Sequence, residues 1–206
     1  LFMRGRHSAG GGLRVHGNPR LAAPFDVPSW LLNSATVSLF NLAYRHRPWA
    51  MGRHTVHYDP FFYPLDAVAG WNKLYGARGF FQHQCAVPKA AAPGAIERLL
   101  RLTGAHRQGS FLVVLKLFGA RKSPGLLSFP IEGATLALDL PNRGETTRTL
   151  LADMTAAAME AGGRIYPAKD AAMSAAAFRA GYPEWRQLEA LRDPKIMSDF
   201  WRRVAQ

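Results

Sequence analysis

Phe111-Leu112-Val113-Val114-Leu115-Lys116-Leu117-Phe118-Gly119 is an apolar run broken by one ammonium group. A run of this length, rich in Val, Leu and Phe and closed by glycine, reads as a β-strand. Side chains alternate between the faces of a strand, so Phe111, Val113, Leu115 and Leu117 share one side and Leu112, Val114, Lys116 and Phe118 the other. The first side is expected to be core. A lysine left dry and unpaired on the second would cost on the order of several kcal/mol or lose its proton, so that side is expected to look onto a ligand. The structural alternative is a lysine that snorkels to water at the edge of a sheet.

Working outward, Gly79 to Val87 alternates as a preceding strand, and Pro93 to Leu102 carries Ile96, Leu99 and Leu100 at helical spacing until Gly104 is expected to stop it. Beyond the lysine strand come a loop with Pro124-Gly125 and Pro130, then a third strand from Ala134 to Leu140 closed by Pro141-Asn142. A long helix starts near Glu145-Thr146 and places Leu150, Leu151, Met154, Ala157, Ala158 and Ala161 along one stripe before Gly162-Gly163. Arg164-Ile165-Tyr166 completes the unit as a short strand. The order β-α-β-β-α-β predicts an α+β fold of the ferredoxin-like, split βαβ kind, an antiparallel sheet with helices on one face. Short helices are expected to follow at 175–180, 184–191 and 194–204, the last capped by Asp193, with Trp185, Leu188, Ile196, Phe200 and Val204 packing inward.

The amino end has a different character. Residues 1–60 are expected to be an irregular lead-in with Gly10-Gly11-Gly12 and one helix, from Asn33-Ser34 to before Arg47-Pro48, and residues 61–206 to form the functional domain. The 206 residues carry 26 basic against 14 acidic side chains, a net charge of +12 that favours anionic partners. Arg4, Arg6, Arg14, Arg20, Arg45, Arg47 and Arg53 supply much of it, scattered among prolines and glycines as in a solvated arm. Cys85 is the single cysteine, which excludes an intrachain disulfide and a cysteine-based structural zinc site and favours a reducing, cytoplasmic setting. No apolar run approaches the roughly 20 residues that span a bilayer. The chain opens on Leu1, so a preceding portion is expected.

Parity lists the sheet face opposite the helices: Gln82 and Gln84, then Leu112, Val114, Lys116 and Phe118, then Thr135, Ala137 and Asp139. Apolar walls with a few donors are what a small-molecule site requires. Packing against another domain is the structural alternative. The aromatic stretch from Asp59 to Asp66 and from Gly70 to Gly76 shows neither helical nor strand periodicity and reads either as a pocket wall or as a hydrophobic plug under a long loop. His54, His57 and Asp59 lack a fourth ligand, so no metal is expected. No G-x-S-x-G nucleophile motif or phosphate-binding loop is present. A ferredoxin-like sheet with this charge could bind RNA, but Phe118 alone would offer stacking on the free face, so nucleic acid is not the expected partner.

Tyr63-Pro64-Leu65-Asp66, Gly70-Trp71-Asn72, Tyr75-Gly76, Gly79-Phe80-Phe81-Gln82-His83-Gln84, Leu115-Lys116-Leu117-Phe118-Gly119, Leu127-Ser128-Phe129-Pro130 and Ala168-Lys169-Asp170 form an ordered set. Over about residues 55 to 206 it resembles the carboxyl-terminal half of the decaprenylphosphoryl-ribose 2-oxidase family, FAD-linked oxidases of the vanillyl-alcohol-oxidase type. The resemblance implies an FAD-dependent oxidoreductase acting on a sugar alcohol carbon of a lipid-linked substrate; without a bilayer-spanning run, the chain is expected to be soluble or peripheral to a membrane. It also implies that an amino-terminal FAD-binding domain lies outside this chain. Lys116 would be the catalytic lysine facing substrate, with Gln82, Gln84, Leu112, Val114 and Phe118 around it. Tyr166 and Lys169 would contact the flavin ring. Phe62 stands where the family has a tyrosine, and Thr135 and Ala137 replace an asparagine and a cysteine of the pocket wall, so the substrate is expected to differ. An aldonolactone oxidase is the enzymatic alternative, and a ferredoxin-like module binding nucleic acid or protein the non-enzymatic one.

Overall fold

The computed structural model describes residues 5–10, 12, 15, 17, 21–28, 33–46, 52–63, 66–110, 112–169 and 172–205. Phe111, Pro64, Leu65, Asp170, Gly11, Arg4, Arg14, Arg20, Arg47 and Pro48, all used in the sequence reading, lie outside the described residues. The chain divides into two compact units, residues 1–79 and 80–206.

In the first unit are β1 (Leu21–Ala22), α1 (Ser34–Arg45), α2 (Tyr58–Phe62) and β2 (Val68–Ala69), followed by a 3-10 helix at Trp71–Tyr75. α1 begins where expected because Asn33 Oδ1 accepts from the amides of Ala35 and Thr36 while Thr36 Oγ1 accepts from the Asn33 amide. The aromatic stretch is more ordered than its pattern suggested: α2 and the 3-10 helix each span 5 residues, too short for a period to register, and β2 pairs in parallel with β1. His57 Nδ1 accepts from the Asp59 amide at 3.3 Å, so this ring caps α2.

The second unit runs β3 (Phe80–Pro88), α3 (Ala92–Ala105), β4 (Val113–Phe118), β5 (Gly133–Pro141), α4 (Glu145–Glu160) and β6 (Arg164–Ile165), then α5 (Ala175–Gly181), α6 (Trp185–Leu191) and α7 (Asp199–Ala205). The sheet order is β4-β5-β3-β6 with every neighbouring pair antiparallel. This is the split βαβ arrangement, and the fold class is α+β as expected. β3 and β5 pair along their whole length, from Phe80 opposite Pro141 to Pro88 opposite Gly133.

α3 and α4 cover one face of β3 and β5. Cys85 and Val87 of β3 and Leu136, Leu138 and Leu140 of β5 meet Leu99, Leu150, Met154 and Ala158 of the helices in one buried cluster. Phe178, Tyr182, Trp185, Trp201 and Val204 extend that cluster through α5, α6 and α7. The chain crosses closely at the end of the sheet: Gly133 has φ +155°, and a Cβ there would lie 2.0 Å from the Val87 carbonyl oxygen.

Three expectations need correction. Val113, Leu115 and Leu117 share the helix side of the sheet but are 49%, 52% and 83% exposed. β4 is the edge strand, and the two sheet-covering helices lie over β3 and β5, so this row is not core. α3 continues through Gly104 to Ala105, since a helical glycine costs only about 1 kcal/mol. The last helix starts at Asp199, not Pro194: Asp193 Oδ1 instead accepts from the Lys195 amide in a local turn, and Ser198 Oγ accepts from the Trp201 amide. Ile196, left outside that helix, is 71% exposed rather than packed. No described helix is long and apolar enough to cross a membrane.

Candidate functional site

The face of the sheet away from α3 and α4 is built by strand alternation. Register sets Gln84, Ala137 and Val114 in one cross-strand row, and Ala86, Thr135 and Lys116 in the next. Gln82 opposes Asp139, whose amide reaches the Leu112 carbonyl at 3.3 Å. Gln84, Leu112, Val114, Lys116, Thr135, Ala137, Asp139 and Lys169 together line one concavity. Of the sequence-derived candidates, Gln84, Leu112, Val114, Lys116, Thr135 and Ala137 therefore converge, with Lys169 arriving from beyond β6, whereas Gln82, Phe118 and Tyr166 do not line the concavity.

The floor is hydrogen-bonded across strands. Gln84 Nε2 donates to Thr135 Oγ1 at 3.1 Å, and Gln82 Nε2 donates to Asp139 Oδ1 at 2.9 Å. Asp139 is only 2% exposed, and its Oδ2 has no partner among the described residues. Burial pushes its carboxyl pKa up, while the Gln82 hydrogen bond and the positive charge of Lys169 pull it down.

The far margin is fixed by backbone. The Tyr166 amide donates to the Gln84 carbonyl at 2.8 Å, prolonging the short pairing of β6 with β3, and a 3-10 turn at Pro167–Lys169 follows. Phe129 packs at a tilt against Tyr166, 4.6 Å between ring centroids, and meets Phe118 edge-on at 5.9 Å. Phe118 and Tyr166 are thus tied through the buried ring of Phe129, which strand alternation does not mark as part of the site. Parity places Asp139 on the free face without assigning it a role. Its signal is a lone carboxylate in a strand with no other charged side chain.

Lys116 lines the concavity, but its side chain is exposed on the edge strand and makes no ion pair among the described residues. The expectation of a dry ammonium demanding a partner is corrected: solvent satisfies it, and its significance rests on position. Phe62 belongs to α2 of the first unit, where it packs edge-on against Phe61 at 5.2 Å. Among the described residues, no three His, Cys, Asp or Glu side chains are grouped as a metal site. Chemically, the concavity offers ammonium donors at its margins, acceptors on its floor and Leu112, Val114 and Ala137 between, a pattern suited to a hydroxylated ligand that also bears negative charge.

No protein-family model matches the chain. It is 32% identical over 192 residues, 89% of its length, to decaprenylphosphoryl-beta-D-ribose oxidase of Mycolicibacterium smegmatis, of which it covers 40%. It is also 32% identical over 145 residues, 68% of its length, to an uncharacterized protein in the mprA 5' region of Streptomyces coelicolor, covering 39% of that protein. The chain thus spans about 40% of the length of the curated relatives it matches. The resemblance read from its motifs is borne out by identity along most of the chain.

Proposed function

We propose that this chain is the substrate-binding part of an FAD-dependent oxidoreductase that oxidises a hydroxyl-bearing carbon of a polyprenyl-phosphate sugar. The observation that carries the reading is the convergence of Lys116, Lys169, Gln84, Thr135 and Asp139 on one concavity, in a chain 32% identical over 89% of its length to an oxidase of a decaprenylphosphoryl sugar.

Lys116 orients the reacting hydroxyl by hydrogen bonding, and Leu112, Val114 and Ala137 keep water from the reacting carbon. Gln82 and Gln84 hold the polar wall in register. FAD, held chiefly outside this chain, supplies the hydride acceptor. Tyr166 and Lys169 are the residues suited to contact its ring, since a fixed cation there favours the negative charge that reduction brings. A net charge of +12 suits a phosphate-bearing lipid substrate and attraction to an anionic membrane surface.

The intact gene product should show a flavin absorbance spectrum that bleaches on addition of a polyprenyl-phosphoryl pentose. In Lys116→Met the bleaching rate should fall by about a hundredfold. A colourless protein that binds RNA in a salt-sensitive manner overturns the proposal, and unchanged bleaching in the variant removes Lys116 from its role. Bleaching by an aldonolactone alone would keep the redox class and reassign the substrate.

A further inference from the structure

We infer that Asp139 is a ligand-binding residue, whose second carboxylate oxygen accepts a hydrogen bond from a hydroxyl group of the bound sugar. Identifying the ligand as a sugar rests on the function proposed above; the unfilled acceptor does not.

Asp139 is 2% exposed yet belongs to the lining of the concavity. Its backbone is anchored, with the amide donating to Ser110 Oγ at 3.0 Å and to the Leu112 carbonyl. Its Oδ1 is anchored as well, by Gln82 Nε2 at 2.9 Å. The Oδ2 atom has no partner among the described residues. Buried polar atoms are nearly always paired, and an orphaned one costs free energy until a donor arrives. Gln84 and Thr135 on the neighbouring floor bond each other, and among the described residues Asp139 is the floor residue with a buried, unpartnered acceptor.

The chemistry of the missing donor follows from its surroundings. Lys116 and Lys169 line the same concavity, so a cationic ligand would be repelled, and among the described residues a metal ion would find no cluster of acidic or imidazole ligands. A hydroxyl group is a neutral donor and tolerates both lysines, which remain available to an anionic part of the same molecule. A rigid strand holds the acceptor in place, which gives orientation as well as affinity.

The test is calorimetric binding of decaprenylphosphoryl ribose and its singly deoxygenated analogues to the intact gene product. Wild-type protein should prefer the parent ligand over one deoxy analogue by about ten- to hundredfold, the factor expected for a hydrogen bond to a charged group. In Asp139→Leu that one preference should shrink towards unity while preferences at other hydroxyls persist. Retention of every preference in Asp139→Leu overturns the inference. Gln82→Leu leaves the carboxylate but frees it to turn, and should weaken the same preference in part. It decides the matter if Asp139→Leu does not fold, because an unchanged preference there overturns the inference too. Asp139-dependent binding without flavin bleaching would uphold the inference and remove the oxidase reading, while bleaching with no Asp139-dependent preference would do the reverse.

Discussion

His83 sits on the covered face of β3 among apolar neighbours, 3% exposed, with neither ring nitrogen partnered among the described residues. Burial lowers its pKa from 6.5 to about 4, so the imidazole is neutral in the folded chain at neutral pH. The unfolded chain takes up a proton near pH 6.5 and the folded one only near 4. Stability is therefore full above the higher value and declines as pH falls between the two, by about 3 kcal/mol in all. Urea midpoints measured from about pH 7.5 down to 4.5 should fall steadily for the wild type. In His83→Leu they should fall less, and equal slopes would contradict this account. The same parity that turns Gln82 and Gln84 to the free face turns His83 to the covered one, so its placement was legible, but its lack of partners was not. Hydrogen-bond satisfaction depends on what the helices bring across, and no strand pattern carries that. For Lys116 the residue type and face were legible, whereas its exposure depended on its strand being last in the sheet.

At the scale of elements, strand content and strand position separate. β4 reads as core because Val, Leu and Phe fill it, yet sheet order makes it an edge, and order is set by long-range pairing that local composition does not encode. Leu117→Lys should therefore change stability by only about 0.5 kcal/mol or less. Leu136→Ala, one strand inward and fully covered, should cost about 2–5 kcal/mol. Denaturant unfolding of both variants checks the contrast, and comparable losses would place β4 in the core after all. Gly133→Ala should cost about 3 kcal/mol or more, because a Cβ would meet the Val87 carbonyl oxygen and φ is +155°. The start of α7 is ambiguous in sequence for a related reason: Asp193 and Ser198 are both good caps, and Asp193 closes a local turn instead.

At the scale of the whole molecule, the main hydrophobic cluster lies entirely within residues 80–206. A fragment of those residues should unfold in one cooperative transition, and a broad melt with mismatched calorimetric and van't Hoff enthalpies would contradict it. The strand–helix order, and with it the fold class and the convergence of three strands on one face, could be read before any coordinates because two periodicities, 2 and 3.6, alternate along this region. Where Lys169 would arrive could be read only as adjacency to the fourth strand, since a two-residue pairing leaves little pattern. The bare row of Val113, Leu115 and Leu117 has a practical corollary. Lys116 points to the opposite side, so no charge guards this row against a second molecule's strand. Concentrated preparations should grow in light-scattering size with time, and the swap at Leu117 that barely alters folding should keep them monodisperse.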